Sequence, residues 1–251
     1  MFYKKPRRKK EETKAVRLHT VDYNGTDYWS SVILNHPATL ETMAMDSEAK
    51  RELIEDLDMF INSKDYYRRV GRAWKRGYLF YGPPGTGKSS LVAAMANYLK
   101  FDAYDLDLRE NREFESEART AEEDKITLSG LLNFIDGLWS SCGDERIIVF
   151  TSNHKDPLLL RPGRTDVHLE MSYCSFSGFR TLASNYLKIE DHKLYGVIEE
   201  LLGNVQATPA DVAGELVKSD NADIALQSLI RHLQSKETEL DQSQTECSRD
   251  N

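Results

Sequence analysis

Long apolar runs are missing from this 251-residue sequence, and no stretch reaches the roughly 18 residues that a membrane-spanning helix needs. The N-terminus carries charge without a hydrophobic segment behind it, so no secretory leader or transmembrane segment is expected and the chain reads as soluble. Cysteine is scarce as well. Cys142, Cys174 and Cys247 lie far apart without metal-ligand spacing, which excludes a disulfide framework and a zinc site and points to a reducing, intracellular compartment. Nor is there an excess of basic charge. With 33 Lys and Arg against 41 Asp and Glu, the net charge is -8, so nucleic acid is not an expected partner.

What is present is a composition of 40% hydrophobic and 29% charged residues, enough for one large or two small packed domains. Residues 1–14 read as a basic tail, whose KKPRRKK run is either a solvated terminus, the preferred reading, or an address for the nucleus or an anionic lipid. Strands are predicted at 16–21 and 28–34 around the turn signal Asn24-Gly25, and an amphipathic helix at 45–60, capped by Asp46 and burying Leu53, Ile54, Leu57 and Phe60. A second helix over 64–75 mixes Tyr66, Tyr67 and Trp74 with arginines; ordinary packing is preferred there to stacking on nucleic-acid bases.

Further strands are predicted at 78–81, 101–108, 146–150 and 166–171, with helices at 89–99 and 128–138; the charged stretch 109–125 reads as a loop or exposed helix. From Ser175 onward only helices are expected, at 176–187, 194–202, 208–218 and 223–233, the third opened by Thr208 and Pro209. The expected architecture is therefore α/β. A parallel sheet covered by helices over 15–174 is followed by a small all-helical domain over 175–235 and a frayed polar tail over 236–251.

The sharpest signal is Gly82-Pro83-Pro84-Gly85-Thr86-Gly87-Lys88-Ser89, which matches GxxxxGK[ST] between a buried strand and a helix that continues through Ser90. Glycines let successive backbone N–H groups turn inward, the helix presents its positive end, and a lysine at Lys88 reaches outer phosphates. Ser89 offers a hydroxyl to Mg2+. ATP or a close purine nucleotide, with Mg2+, is the expected cofactor.

Hydrolysis requires more: a carboxylate at the end of a neighbouring strand and a group that positions water. No apolar strand run ending in paired acidic residues occurs between Ser89 and Arg146. Asp105 and Asp107, facing one side of a strand, are the available carboxylates; they either take the metal role or form a surface pair. Asn153 follows a buried strand and is placed to hold a water. Arg161 and Arg164 flank a Pro-Gly turn and are either exposed side chains or, in a ring, groups that reach the phosphates held by the next subunit.

Through the phosphate loop, residues 151–153, Arg161 and Arg164, the sequence resembles AAA-type ATPases. Through 36–39 (HPAT), 65–76 (DYYRRVGRAWKR), 128–141 (LSGLLNFIDGLWSS) and 205–212 (VQATPADV), it resembles the BCS1-like branch and its plant members, over roughly 17–235. The resemblance implies an αβα large domain with a helical lid, a homo-oligomeric ring, and ATP hydrolysis coupled to remodelling or translocation of a protein substrate. It makes Asn153 a sensor residue and Arg161 and Arg164 arginine fingers acting in trans, and it suggests mitochondrial or endoplasmic reticulum membrane association. Three departures stand out: the Walker B strand with its preceding helix, several residues of the 154–160 loop, and the family's N-terminal membrane anchor have no counterpart. Loss of a central strand would expose backbone donors and acceptors along 146–150, and the expected repair is an inward shift of 101–108 that brings Asp105 or Asp107 toward the metal. Two readings follow. One is an ATPase that does conformational work on a protein; the other is a nucleotide-binding assembly subunit with weak or no hydrolysis.

Overall fold

The computed structural model describes residues 2–3, 15–21, 29–106, 145–155, 157, 159–160 and 165–247. The predicted helix at 128–138, the Asn24-Gly25 turn and the 109–125 stretch lie outside the described residues.

Among the described residues seven strands form one sheet in the order β3-β2-β5-β1-β6-β4-β7. They are β1 (Phe2–Tyr3), β2 (Arg17–Val21), β3 (Trp29–Ile33), β4 (Lys75–Tyr81), β5 (Asp102–Asp105), β6 (Arg146–Ser152) and β7 (Val167–Glu170). β4 is parallel to both β6 and β7, β2 is parallel to β5, and the short edge partner β3 is antiparallel to β2. β4 has no hydrophobic alternation because both its faces are covered. Tyr78 and Phe80 face a core shared with Leu53, Leu57, Leu91 and Met95, while Leu79 faces Ile148, Phe150 and Leu159. Each such side chain taken fully out of water contributes roughly 1.5–3 kcal/mol.

Helix α1 (Ser47–Ile61) starts where expected, because the Asp46 side chain accepts from the backbone N–H groups of Glu48 (3.0 Å) and Ala49 (3.2 Å). It presents Leu53, Leu57 and Phe60 to the sheet. Helix α2 (Lys64–Arg69) is shorter than the predicted 64–75. Gly71 adopts a positive φ of 65°, and Lys75 and Arg76 are drawn into β4 by parallel pairing with Arg146 and Ile147. The Trp74 indole N–H then donates to the Phe60 carbonyl (2.9 Å) and pins the turn to α1. Helix α3 (Lys88–Leu99) packs beside α1 on the same sheet face.

A polar link crosses that face. Asp56 on α1 accepts from the Tyr78 hydroxyl (2.6 Å) and forms an ion pair with Arg76. Burial first, and then the carboxylate of Asp56, push the Tyr78 phenol well above its ordinary pKa, so it stays a donor.

Two expectations need correction. Of the predicted strand 101–108, the described residues 101–106 do not lie beside β6; β5 pairs in parallel with β2, and β1 fills the interval, antiparallel to both β5 and β6. Phe2 pairs with Ala103 and Ile147, and Tyr3 with Asp102 and Arg146, so these two residues belong to the sheet and not to a solvated tail. The physical reason is unchanged: backbone groups in mid-sheet must be paired, and the chain's own N-terminal residues meet that need. The second correction concerns the C-terminus, where a frayed tail was expected.

Helices α4 (Phe176–Leu187), α5 (Tyr195–Asn204), α6 (Pro209–Leu216) and α7 (Ala222–Cys247) pack around a separate core of Phe179, Ile198, Val212, Leu226, Leu229 and Leu233. α7 runs well beyond Leu233. Its polar residues are adequate helix formers, and Lys236 and Glu237 are tied to Asp211 and Asn204. α6 opens at Thr208 and Pro209, as the sequence suggests, and the structure adds that Thr208 and Asp211 cap it reciprocally. The result is an α/β domain with a helical second part. Among the described residues no helix is long and apolar enough to cross a membrane.

Replacing Asp56 with Ala strands the buried Tyr78 hydroxyl and the Arg76 charge, and is expected to lower unfolding free energy by about 1–3 kcal/mol in urea titration. The double variant with Tyr78→Phe should lose clearly less than the sum of the two single changes.

Candidate functional site

The parallel pairing of β4 with β6 brings Tyr81 opposite Ser152, so both strands end on one edge of the sheet. There the chain turns sharply. Gly82 has a φ of 139°, and a Cβ at this position would lie 2.1 Å from the Met171 carbonyl oxygen, a clash that no side chain survives. The Gly82 N–H closes the turn on the Ser152 carbonyl (3.3 Å), and the Met171 N–H bonds the Tyr81 carbonyl (2.7 Å). β6 and the residue following β7 thus clamp the first glycine of the loop from both sides.

Within the loop, the Thr86 hydroxyl is 2% exposed with its residue and donates to the Pro83 carbonyl (2.9 Å), holding the curve internally. Gly87 is the N-cap of α3 and supplies no side-chain cap, which leaves the N–H groups of the first helical turn for an external acceptor. The Lys88 ammonium arches over the loop and donates to the carbonyls of Gly82 (2.7 Å) and Pro83 (2.8 Å); partial burial lowers its pKa from the ordinary lysine value. Positive φ at Gly82, Gly85 and Gly87, a helix start without a side-chain cap and a lysine over the loop are the features from which anion cradles are built. Ser89 is exposed at the lip of the loop and Ser90 half-buried behind it. These donors fit a polyphosphate. For a magnesium ion they supply one hydroxyl, that of Ser89, and among the described residues no cluster of three or more His, Cys, Asp or Glu side chains is placed to hold a metal.

Other predicted residues are more dispersed. Asn153 is exposed and follows the end of β6, on the same sheet edge as the loop. Asp105 is exposed at the end of β5, three strand positions from β4, or about 14 Å across the sheet at ordinary strand spacing. β1 and β6 stand between. Asp107, Arg161 and Arg164 lie outside the described residues.

The structure adds contacts that sequence reasoning missed. The Ala210 N–H donates to the Gly85 carbonyl (3.1 Å), and a Cβ on Gly85 would meet Thr208 Oγ1 at 3.0 Å and the Ala210 methyl at 3.2 Å. The helical part therefore seats directly on the phosphate loop. From another side, the Met43 methyl lies 3.2 Å from where a side chain at Gly87 would begin, and Ala44 packs into the helical core. The Asn185 amide donates to the Thr42 carbonyl (3.0 Å), so residues 42–45 bridge loop and lid. The capping signal at Thr208 located the start of α6; nothing in the local pattern showed what its backbone touches.

The sequence matches those of known proteins. The family model described as "ATPase family associated with various cellular activities (AAA)" matches residues 78–123, and the one described as "At3g28540-like, AAA+ ATPase lid domain" matches residues 174–246. AAA-ATPase At5g17760 of Arabidopsis thaliana is 51% identical over 267 residues, covering 90% of this chain and 52% of the relative. AAA-ATPase At3g50940 of the same plant is 49% identical over 262 residues, covering 90% and 58%. Protein HYPER-SENSITIVITY-RELATED 4, also from Arabidopsis thaliana, is 48% identical over 285 residues, covering 94% and 50%. The chain thus spans about half the length of these relatives. Each alignment is longer than the 251-residue chain itself, so the relatives carry residues within the matched region that have no counterpart here.

Gly82→Ala forces the Met171 carbonyl aside and is expected to cost about 2–4 kcal/mol of stability, measured by denaturant unfolding. An alanine at Pro84, which is exposed, should change stability by less than about 0.5 kcal/mol.

Proposed function

Because the chain belongs to the AAA-type ATPases, we propose that it binds ATP with magnesium at residues 82–89 and works as the ATPase module of a homo-oligomeric ring acting on a protein substrate. The observation that carries this reading is the anion cradle: Gly82 clamped against Met171, uncapped amides at the start of α3, and Lys88 poised over the loop. In this reading the amides of residues 85–89 bind the β- and γ-phosphate oxygens. The Lys88 ammonium exchanges two carbonyl partners for phosphate oxygens, a stronger, charge-assisted pairing. The nucleoside lies toward residues 42–45 and 208–210, which stand beside Gly87 and Gly85 of the loop. Ser89 provides a hydroxyl to magnesium, whose charge, when the ion is bound, offsets that of the phosphates. Asn153 orients water from the end of β6, and Arg161 and Arg164 reach a neighbouring subunit's phosphates.

A second reading has specific support. The sheet position beside β6 is taken by antiparallel β1, and Asp105 is three strand positions from β4. A nucleotide-responsive assembly subunit, binding ATP and scarcely hydrolysing it, fits that arrangement and the residues of the relatives that have no counterpart within the matched region.

Paired measurements separate these readings: ATP affinity with magnesium, and phosphate release at saturating ATP. Lys88→Ala is expected to weaken ATP binding at least about tenfold, the equivalent of losing one charge-assisted contact of about 1.4 kcal/mol. Release that falls to background in Lys88→Ala selects the enzyme. Tight binding with no release above the Lys88→Ala background selects the assembly subunit, and no binding by the folded parent refutes both.

A further inference from the structure

The segment 207–211 is held at three points. At its start the Cys174 N–H donates to the Ala207 carbonyl (2.7 Å), tying it to the chain leaving β7. In its middle the Ala210 N–H donates to Gly85 of the phosphate loop (3.1 Å). At its end a single carboxylate oxygen, Asp211 Oδ2, accepts both the Thr208 N–H (3.0 Å) and the Lys236 ammonium (2.7 Å), while Thr208 Oγ1 accepts the Asp211 N–H (3.2 Å). Lys236 lies on α7, three residues past the buried Leu233, where the long helix leaves its core.

The two capping bonds fix the Thr208 side chain and the first turn of α6, and with them the direction of the Ala210 N–H. Lys236 and Asp211 are only 28% and 33% exposed, so their pairing is partly shielded from water. Burial alone would raise the Asp211 pKa, but the bonds from Lys236 and Thr208 outweigh it and hold the carboxylate in its ionised, accepting form.

We propose that Lys236 is a positioning residue for the phosphate loop, acting from α7 through Asp211 and Thr208 to seat Ala210 on Gly85. This rests on the nucleotide-binding reading and adds to it a route by which the far end of the lid sets the order of the loop. The seat contacts a carbonyl and leaves the inward amides to the phosphates. Its loss therefore raises the ordering cost of binding equally for di- and triphosphate.

The test uses the full chain. ATP and ADP affinities with magnesium are measured by calorimetry, and amide hydrogen exchange over 82–87 and at Ala210 is followed without nucleotide. Lys236→Met is expected to weaken both nucleotides by roughly three- to tenfold and to speed exchange at Ala210 and across 82–87 while the thermal midpoint moves by no more than a few degrees. Lys236→Arg restores both readouts, and Thr208→Ala reproduces the loss. Unchanged loop exchange in both Lys236→Met and Thr208→Ala would overturn the proposal, as would equal losses in Lys236→Met and Lys236→Arg. Should the folded parent bind neither nucleotide, the functional reading fails by itself, and the exchange comparison still decides whether Lys236 orders the loop.

Discussion

The parallel pairing of β4 with β6, from Lys75 opposite Arg146 to Tyr81 opposite Ser152, is the constraint on which the site depends. It fixes where β4 stops, and so where a glycine must leave the sheet between the Ser152 carbonyl and Met171. The burial of Tyr78, Leu79 and Phe80 on both faces makes a register slip prohibitive, since shifting one residue exchanges the two cores. Loop shape is thus a consequence of strand register, and the direction of α3 follows from both.

Much of this was legible in the chain because its signals are local. Three glycines at set spacing before a lysine announce a turn and a helix start, and Asp46 and Thr208 mark the starts of α1 and α6 through bonds that span only two or three residues. The rest depends on partners distant in sequence. Lys75 looks like the end of a helix and becomes strand because β6 pairs with it. Phe2–Tyr3 is too short to show any periodicity, yet mid-sheet backbone pairing requires something in its place, which keeps β5 away from β6. The polar end of α7 has no apolar stripe to reveal it. Contact between Gly85 and Ala210 is a single backbone bond across 125 positions of sequence and leaves no mark in composition.

Chemistry and mechanics meet at that bond. The large domain alone supplies the amides, the ammonium of Lys88 and the hydroxyl of Ser89, while the lid touches the loop through Ala210 and Thr208 and touches residues 42–45 through Asn185. In the proposed reading a nucleotide held between these parts contacts both, and the lid senses occupancy of the loop whether or not the terminal phosphate is cleaved; the enzyme and assembly-subunit readings share that geometry and part only over a carboxylate.

The most direct examination of the central claim is a crystal structure of the chain with magnesium and a non-hydrolysable ATP analogue. The account predicts the outer phosphates over the amides of residues 85–89, with Lys88 Nζ moved from the Gly82 and Pro83 carbonyls onto phosphate oxygens. An analogue bound elsewhere, or Lys88 still bonded to both carbonyls beneath a bound triphosphate, would contradict it.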